Sequence, residues 1–262
     1  MAKQLYNYWF VQFDFPNEEG KPYKSSGGKM VWNEKLKREI PFGWHCGNLF
    51  EIAVFTNGLA CQKFRPKDDE ASLPVIKIRE MHDGISADTE KVTPNIPESV
   101  KVYNGDVLFS WSASLEVMLW AYGLGGLNQH IFKVTSANDF PKSFFYFQLL
   151  DYVVFKKMAE ARKTTMGHIT QDHLQQSAIA IPDNKDIADR FEELISPIFN
   201  QIIKLHEEIL NLTKQRDKLL PLLMNGQVSV NSDLAVLYII YGLKYQNHER
   251  EHYSGDSCEN AA

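Results

Sequence analysis

Cysteine is scarce in this sequence, and its placement excludes a disulfide framework and a cysteine-based metal site. The chain has three cysteines, Cys46, Cys61 and Cys258, and no two of them have the short spacing of metal ligands. An odd number of cysteines cannot all be paired in disulfides within the chain, and free thiols are typical of proteins in a reducing compartment. We therefore expect a cytoplasmic protein.

Long apolar runs are also missing. The longest apolar stretch, Leu234–Leu243, is about half the ~20 residues that a transmembrane helix needs. The first residues, MAKQLYNYWFVQF, lack the basic and then apolar pattern of a secretory signal. We expect no contact with a membrane.

An excess of positive charge is absent as well, since the formal net charge is -5. This balance does not exclude DNA binding, because a DNA groove responds to a local basic patch and not to the average over the chain. The sequence is 44% hydrophobic and 12% aromatic, which is enough to bury a sizeable core.

Catalytic motifs are few. The chain has no Gly-x-Ser-x-Gly elbow, and it has no Pro-Pro pair and hence no Asn/Asp-Pro-Pro-aromatic motif of an amino-methyltransferase. One match to H-E-x-x-H occurs at His248–His252, where two histidines could bind zinc and Glu249 could activate water. The flanking residues are polar and only ten residues follow His252, so a charged tail in solvent is the favoured interpretation. A zinc peptidase is the least favoured hypothesis, and we expect no catalytic residue and no metal.

The chain divides into four parts. Residues 1–40 begin with a dense aromatic segment, which cannot stay solvated and should dock on a surface, and continue as a linker rich in Gly, Ser, Lys and Glu. Pro41 marks the start of a mixed domain that reaches residue 182. A long helix follows in residues 183–228, and residues 229–262 form a tail without an assigned role.

The mixed domain is expected to be α+β. Short apolar runs bounded by Gly, Pro, Asn or Asp predict strands at Phe50–Thr56, Leu73–Ile78, Asp106–Ser110, His130–Val134 and Ser177–Ile181. The apolar spacing predicts a helix over Phe140–Arg162. Thr164, Thr165 and Gly167 should end that helix, and Thr170 can cap a short one after it.

The long helix is predicted from Asp186 to about Asn225, because apolar residues recur there mostly in steps of three and four, with one stutter between Ile198 and Ile202. This row of apolar residues begins with Ile187, Phe191 and Leu194. At ~1.5 Å per residue the helix would be roughly 60 Å long. A small domain could not cover all of its apolar residues over that length. We expect a coiled coil with a partner helix; an ordinary amphipathic helix packed on its own domain is the alternative. Pro197 predicts a bend near Ile195, and Gly226 is a stop signal. The predicted helix interface consists of Ile198, Ile202, Leu205, Ile209, Leu212, Leu219 and Leu223.

Five blocks follow one another between residues 3 and 230. They are KQLYNYWFVQFDFPNEEGKPYKSSGGKMVWNEKLKREIPFGW, GDVLFSWSASL, GLNQHIFKV, HITQDHLQQSAIAIP and RDKLLPLLMNGQVSV. Together and in this order, the blocks resemble the specificity subunit of type I restriction–modification systems. No single block is diagnostic.

The resemblance implies a protein that reads DNA and has no catalytic residues of its own. Such a subunit recognises a split target through two target recognition domains, which two antiparallel helices hold apart. It recruits modification subunits, which bind S-adenosylmethionine and methylate adenine, and a restriction subunit, which uses ATP and Mg²⁺. This chain would itself bind no cofactor. Residues 41–182 correspond to one target recognition domain, so the resemblance covers about half of a subunit, and a second copy or another half-subunit would have to supply the rest.

Candidate DNA contacts lie in loops rich in basic, amide and hydroxyl side chains. The candidates for phosphate or guanine contacts are Lys63, Arg65, Lys77 and Arg79, and those for base edges are Ser112, Ser114, Gln129 and His130. A further group of candidates precedes the short helix that Thr170 can cap, and these residues could hold a phosphate at the N-terminus of that helix. They are Lys163, Thr164, Thr165 and His168. Each residue taken singly could instead be part of a solvated surface. A coiled-coil adaptor that binds protein partners is the second hypothesis.

Overall fold

The structure is a computed structural model that describes residues 1–67, 70–112, 115–160 and 174–227, with only the backbone given for 154–160. It is a mixed fold of helices and strands, as the sequence predicts. The contacts divide the chain into a unit of Met1–Glu208 and a unit that begins at Ile209.

The strands are β1 Met30–Asn33, β2 Arg38–Pro41, β3 Trp44–Gly47, β4 Ala53–Asn57, β5 Leu73–Ile76, β6 Lys91–Val92, β7 Lys101–Val102, β8 Val107–Ser110, β9 Glu116–Leu119, β10 Gly125–Leu127, β11 Ile131–Ser136 and β12 Ile179–Pro182. The α-helices are α1 Ala2–Tyr6, α2 Leu49–Ile52, α3 Ile78–Asp83, α4 Lys142–Glu160 and α5 Asp186–Met224.

Two four-stranded sheets organise the first unit. One sheet has the order β4-β11-β8-β9 and is antiparallel throughout. The other has the order β6-β5-β10-β7, and within it β5 and β10 run parallel. The pairs β1–β2 and β3–β12 form two smaller antiparallel sheets.

Strands β8 and β11 contribute to two hydrophobic cores, because successive side chains of a strand point to opposite faces. Phe109 and Phe132 belong to the first core, whereas Leu108 and Ile131 belong to the second. The first core also contains residues of α4 and of the base of α5. The second core surrounds the fully buried Trp120.

The aromatic N-terminus is part of the first core. Tyr6 and Phe10 are buried, and Phe10 packs at ring-centroid distances of 5.0 Å from Phe144 and 5.1 Å from Phe191. Edge-to-face pairs of this kind add to the burial of the rings. The segment thus docks on its own chain, and the boundary expected at Pro41 falls inside β2. The core takes up the aromatic rings of this segment but not the linker, because residues 16–39 are all exposed or half-buried. The domain boundary itself stays a prediction.

Most of the predicted elements are present. The predictions for β5, β8, β11, β12 and α4 agree with the structure to within a few residues. The prediction of a strand over Phe50–Thr56 is wrong in its first half, where α2 forms. Asn48 caps this helix: its side chain accepts from the backbone N–H of Phe50 at 2.9 Å, and the Glu51 carboxylate accepts from the N–H of Asn48 at 3.0 Å. This local capping outweighed the apolar pattern. Thr164, Thr165, Gly167 and Thr170 lie outside the described residues.

Helix α5 confirms the predicted long helix. It runs through Pro197 to Met224, so the bend near Ile195 stays a prediction. After the helix, Gly226 has a φ of +67° and donates its N–H to Leu223, while Gln227 donates to Leu222. These two bonds form the glycine C-cap that satisfies terminal carbonyl groups.

The face of α5 that packs on the domain differs from the predicted stripe. Ala188, Phe191, Ile195 and Phe199 are buried, whereas Leu194 is 51% exposed. Of these four buried residues, only Phe191 belongs to the predicted row of apolar residues. Both faces are apolar, and only the surrounding core decides which one is covered.

Candidate nucleic-acid interface

Several strands of the first unit end close to one another. The parallel strands β5 and β10 end there together, and the N–H of Asn128 donates to the carbonyl of Ile76 at 3.1 Å. Leu59, just after β4, accepts from the N–H of Gln129 at 2.8 Å. Because β11 pairs with β8, the loop after Ser110 reaches the same edge. We call residues 57–65, 76–79, 110–112 and 128–130 the recognition edge.

Seven of the predicted residues lie in loops that the structure describes: Lys63, Arg65, Lys77, Arg79, Ser112, Gln129 and His130. Their contacts with DNA stay predictions. Hydrogen bonds join the loops after β4, β8 and β10 directly, because Gln129 donates its N–H to Leu59 and Trp111 donates its N–H to the carbonyl of His130. Ser114, Lys163, Thr164, Thr165 and His168 lie outside the described residues, as does the H-E-x-x-H match.

Lys77 and Arg79 are paired with carboxylates. Lys77 Nζ lies 2.7 Å from Glu90 Oε1, and Arg79 Nη2 and Nε lie 2.7 Å and 3.1 Å from Glu80 Oε1. The hydrogen bond from Lys77 lowers the pKa of Glu90, and the hydrogen bond to Glu80 raises the pKa of Arg79. Glu80 is only 1% exposed, so Arg79 neutralises a buried charge. These pairs offset the positive charge of Lys77 and Arg79.

Lys63 and Arg65 are exposed. Lys63 ends the short 3₁₀ turn Cys61–Lys63, and its N–H donates to the carbonyl of Ala60 at 3.0 Å. Within this turn, burial raises the pKa of the Cys61 thiol to about 11, which keeps it protonated and unreactive. Both side chains are exposed to solvent, and their contact with phosphates stays a prediction.

Gln129 and His130 form a polar tip on the recognition edge. Gln129 Nε2 lies 3.3 Å from His130 Nε2, and the ring centroids of His130 and Trp111 are 5.6 Å apart. Asn128 is 4% exposed, and its side-chain oxygen accepts from the N–H of His130 at 3.3 Å. The sequence analysis did not assign Trp111 and Asn128 a role in supporting this tip. Each of them directly precedes a predicted contact, Ser112 in the block GDVLFSWSASL and Gln129 in the block GLNQHIFKV, and this adjacency could have pointed to them.

Two negative findings apply to the described part of the chain. Within residues 1–67, 70–112, 115–160 and 174–227, no group of three or more His, Cys, Asp or Glu side chains could hold a metal ion. In the same ranges, no helix is both long and apolar enough to cross a bilayer.

The predicted helix interface is exposed along α5. Ile198 is half-buried, and the exposed fractions of the next residues are 39% for Ile202, 49% for Leu205, 57% for Ile209, 55% for Leu212, 48% for Leu219 and 37% for Leu223. We call these seven residues the apolar seam. A contiguous apolar surface of this kind is typical of an interaction site.

Comparison with known proteins identifies relatives. The profile described as Type I restriction modification DNA specificity domain matches residues 41–214. The chain is 25% identical over 239 residues to the type I restriction enzyme MjaIX specificity subunit of Methanocaldococcus jannaschii, covering 88% of this chain and 52% of the relative. It is 23% identical over 190 residues to the EcoBI specificity subunit of Escherichia coli, covering 71% of this chain and 40% of the relative.

The chain spans about half the length of the first of these relatives and less of the second. Among solved structures, the S subunit of a type I restriction–modification system from M. genitalium is 15% identical, with a TM-score of 0.45 over 68% of this chain and 45% of that chain. The family match covers most of the chain and confirms the predicted resemblance, including the prediction of a specificity protein and not a catalytic one. The chain belongs to the type I restriction–modification DNA specificity domain family.

Proposed function

We propose that this chain is a DNA sequence-recognition subunit of a type I restriction–modification complex, and that it reads one half of a bipartite target in double-stranded DNA. Its recognition edge contacts the DNA through Lys63, Arg65 and the Gln129–His130 tip. The apolar seam pairs α5 with the equivalent helix of a second copy or of another half-subunit, as an antiparallel coiled coil. The two recognition domains then read the two halves of the target.

The observation that carries this proposal is the exposed seam. Isolated exposed apolar residues are ordinary, but residues that recur in steps of three and four along one helix form a surface that a second helix covers. Family membership supports DNA as the ligand of the recognition edge. The length of the seam supports a helix partner instead of a small ligand.

The catalytic partners follow from the same proposal. Methyltransferase subunits dock on this chain and bind S-adenosylmethionine, and a restriction subunit supplies ATP- and Mg²⁺-dependent steps. The chain itself holds no cofactor and acts in the cytoplasm, where its DNA target is.

Two variants of the full chain test the pairing. Ile209→Glu with Leu212→Glu places charges in the seam, and Asn211→Glu, at an exposed polar position between them, is the matched control. Light scattering should report a dimer for the wild-type chain and the control, and a monomer for the double variant. A wild-type chain that stays monomeric, alone and with an added half-subunit, would remove the pairing proposal.

A gel-shift series tests DNA recognition against the alternative of a protein-binding adaptor. Specific duplex DNA should bind with an affinity that falls steeply as salt rises, because phosphate contacts release counterions. Competitor DNA of other sequences should displace it poorly. The adaptor hypothesis instead predicts no binding that depends on DNA sequence.

A further inference from the structure

The backbone of the Gln129–His130 tip is fixed by neighbouring strands. Gln129 donates its N–H to Leu59 at 2.8 Å, and Ile131 donates to Asn128 at 3.1 Å. Gly58 packs so closely that an added Cβ would lie 2.1 Å from the carbonyl oxygen of Asn128. The tip therefore has the rigid support that a recognition element needs.

A series of side-chain contacts connects the tip to the hydrophobic core. Phe132 is 3% exposed, and its ring centroid lies 6.0 Å from that of Trp111. The ring of Trp111 lies 5.6 Å from that of His130, whose Nε2 is 3.3 Å from Gln129 Nε2. Packing thus holds the imidazole, and the imidazole orients the amide.

The hydrogen bond between the two side chains decides what the amide can offer to a ligand. A glutamine amide has two N–H donors and one carbonyl acceptor, and a neutral histidine has one acceptor nitrogen. His130 Nε2 accepts one of the two amide hydrogens. Gln129 then presents one donor and one acceptor side by side to solvent.

This pair of groups matches one base in the major groove. Adenine presents the N7 acceptor beside the N6 donor, whereas guanine presents two acceptors, N7 and O6. The carbonyl of Gln129 would face O6 of guanine, which is unfavourable. We propose that Gln129 reads an adenine of an A·T pair in the major groove, with His130 and Trp111 as positioning residues. This inference rests on the proposed DNA-recognition function.

Selection from randomised duplex DNA, with the full chain, tests the assignment. In the wild-type motif, one position should prefer adenine over the other bases by about 5- to 150-fold. Gln129→Leu should lose that preference and keep the rest of the motif, and Gln129→Glu should move it toward cytosine, whose N4 donates to a carboxylate. His130→Leu frees the amide to rotate, so adenine and guanine should be accepted more equally. Gln12→Leu makes the same chemical change at an exposed position of the N-terminal segment and should leave the motif unchanged.

A measurement on the wild-type chain avoids reliance on the folding of variants. Replacing the selected adenine with 7-deazaadenine removes N7 and should weaken binding about as much as Gln129→Leu does. A motif that is unchanged in Gln129→Leu, a guanine at the affected position, or full binding to the 7-deaza DNA would each overturn the assignment while the proposed function stands. A wild-type chain that selects no motif would overturn both.

Discussion

His45 and Asp183 are joined by a hydrogen bond of 2.5 Å between Nδ1 and Oδ1, although 138 positions separate them. The other ring nitrogen, Nε2, lies 3.1 Å from Glu51 Oε2. The bond links β3 to the residue that follows β12, just before the long helix begins. Two carboxylates can both accept from the ring only when it is protonated, because only imidazolium has two N–H donors.

This contact makes stability depend on pH. Burial lowers the pKa of His45, but the hydrogen bonds to Asp183 and Glu51 outweigh it and raise the pKa above 6.5. Because the folded-state pKa is the higher one, the stabilisation is fully present below pH 6.5 and is lost as the pH rises through the raised value. The difference in unfolding free energy between wild type and His45→Gln should therefore be largest in mild acid, at less than about 1 kcal/mol for such an exposed pair. Urea titrations at several pH values measure it, and a difference that does not change with pH would contradict this role.

Arg79→Ala should destabilise the fold. The substitution leaves the buried Glu80 carboxylate without its cation, although the N–H of Lys77 and the hydroxyl of Thr89 still donate to it, and we expect a measurable loss of unfolding free energy. Adding Glu80→Gln removes the stranded charge and should recover part of the loss. Lys63→Ala, at an exposed position of the same edge, is the control and should have almost no effect in urea denaturation. Equal stability of Arg79→Ala and wild type would show that Glu80 does not need this partner.

Two apolar residues of α5 should differ sharply when replaced by alanine. Phe191 is fully buried and Leu194 is 51% exposed. Phe191→Ala opens a cavity and should cost about 3–5 kcal/mol of unfolding free energy, whereas Leu194→Ala should change it by no more than ~0.5 kcal/mol. Thermal or urea unfolding of both variants measures the contrast. Similar losses in the two variants would mean that the helix rests on a different face.

The best sequence predictions concern features with strong local causes. Helix α5 was predicted almost to the residue, because an apolar period of three and four persists over its length and Gly226 ends it. Strands β5, β8 and β11 were predicted because Gly, Pro, Asn or Asp bound each run. The helix α2 was missed, since a single cap formed by Asn48 and Glu51 reversed the preference of the apolar residues around it.

Pattern and composition alone were enough to predict the mixed fold, the long helix with its apolar seam and the resemblance to the specificity family. The sequence pattern left three features open: that Ile195 instead of Leu194 faces the core, that Lys77 pairs with Glu90, and that the loops after β4, β8 and β10 meet. The difference lies in the range of the interactions. Periodicity, caps and turns act between near neighbours in the chain, whereas burial, ion pairing and strand order depend on which distant segments pack together.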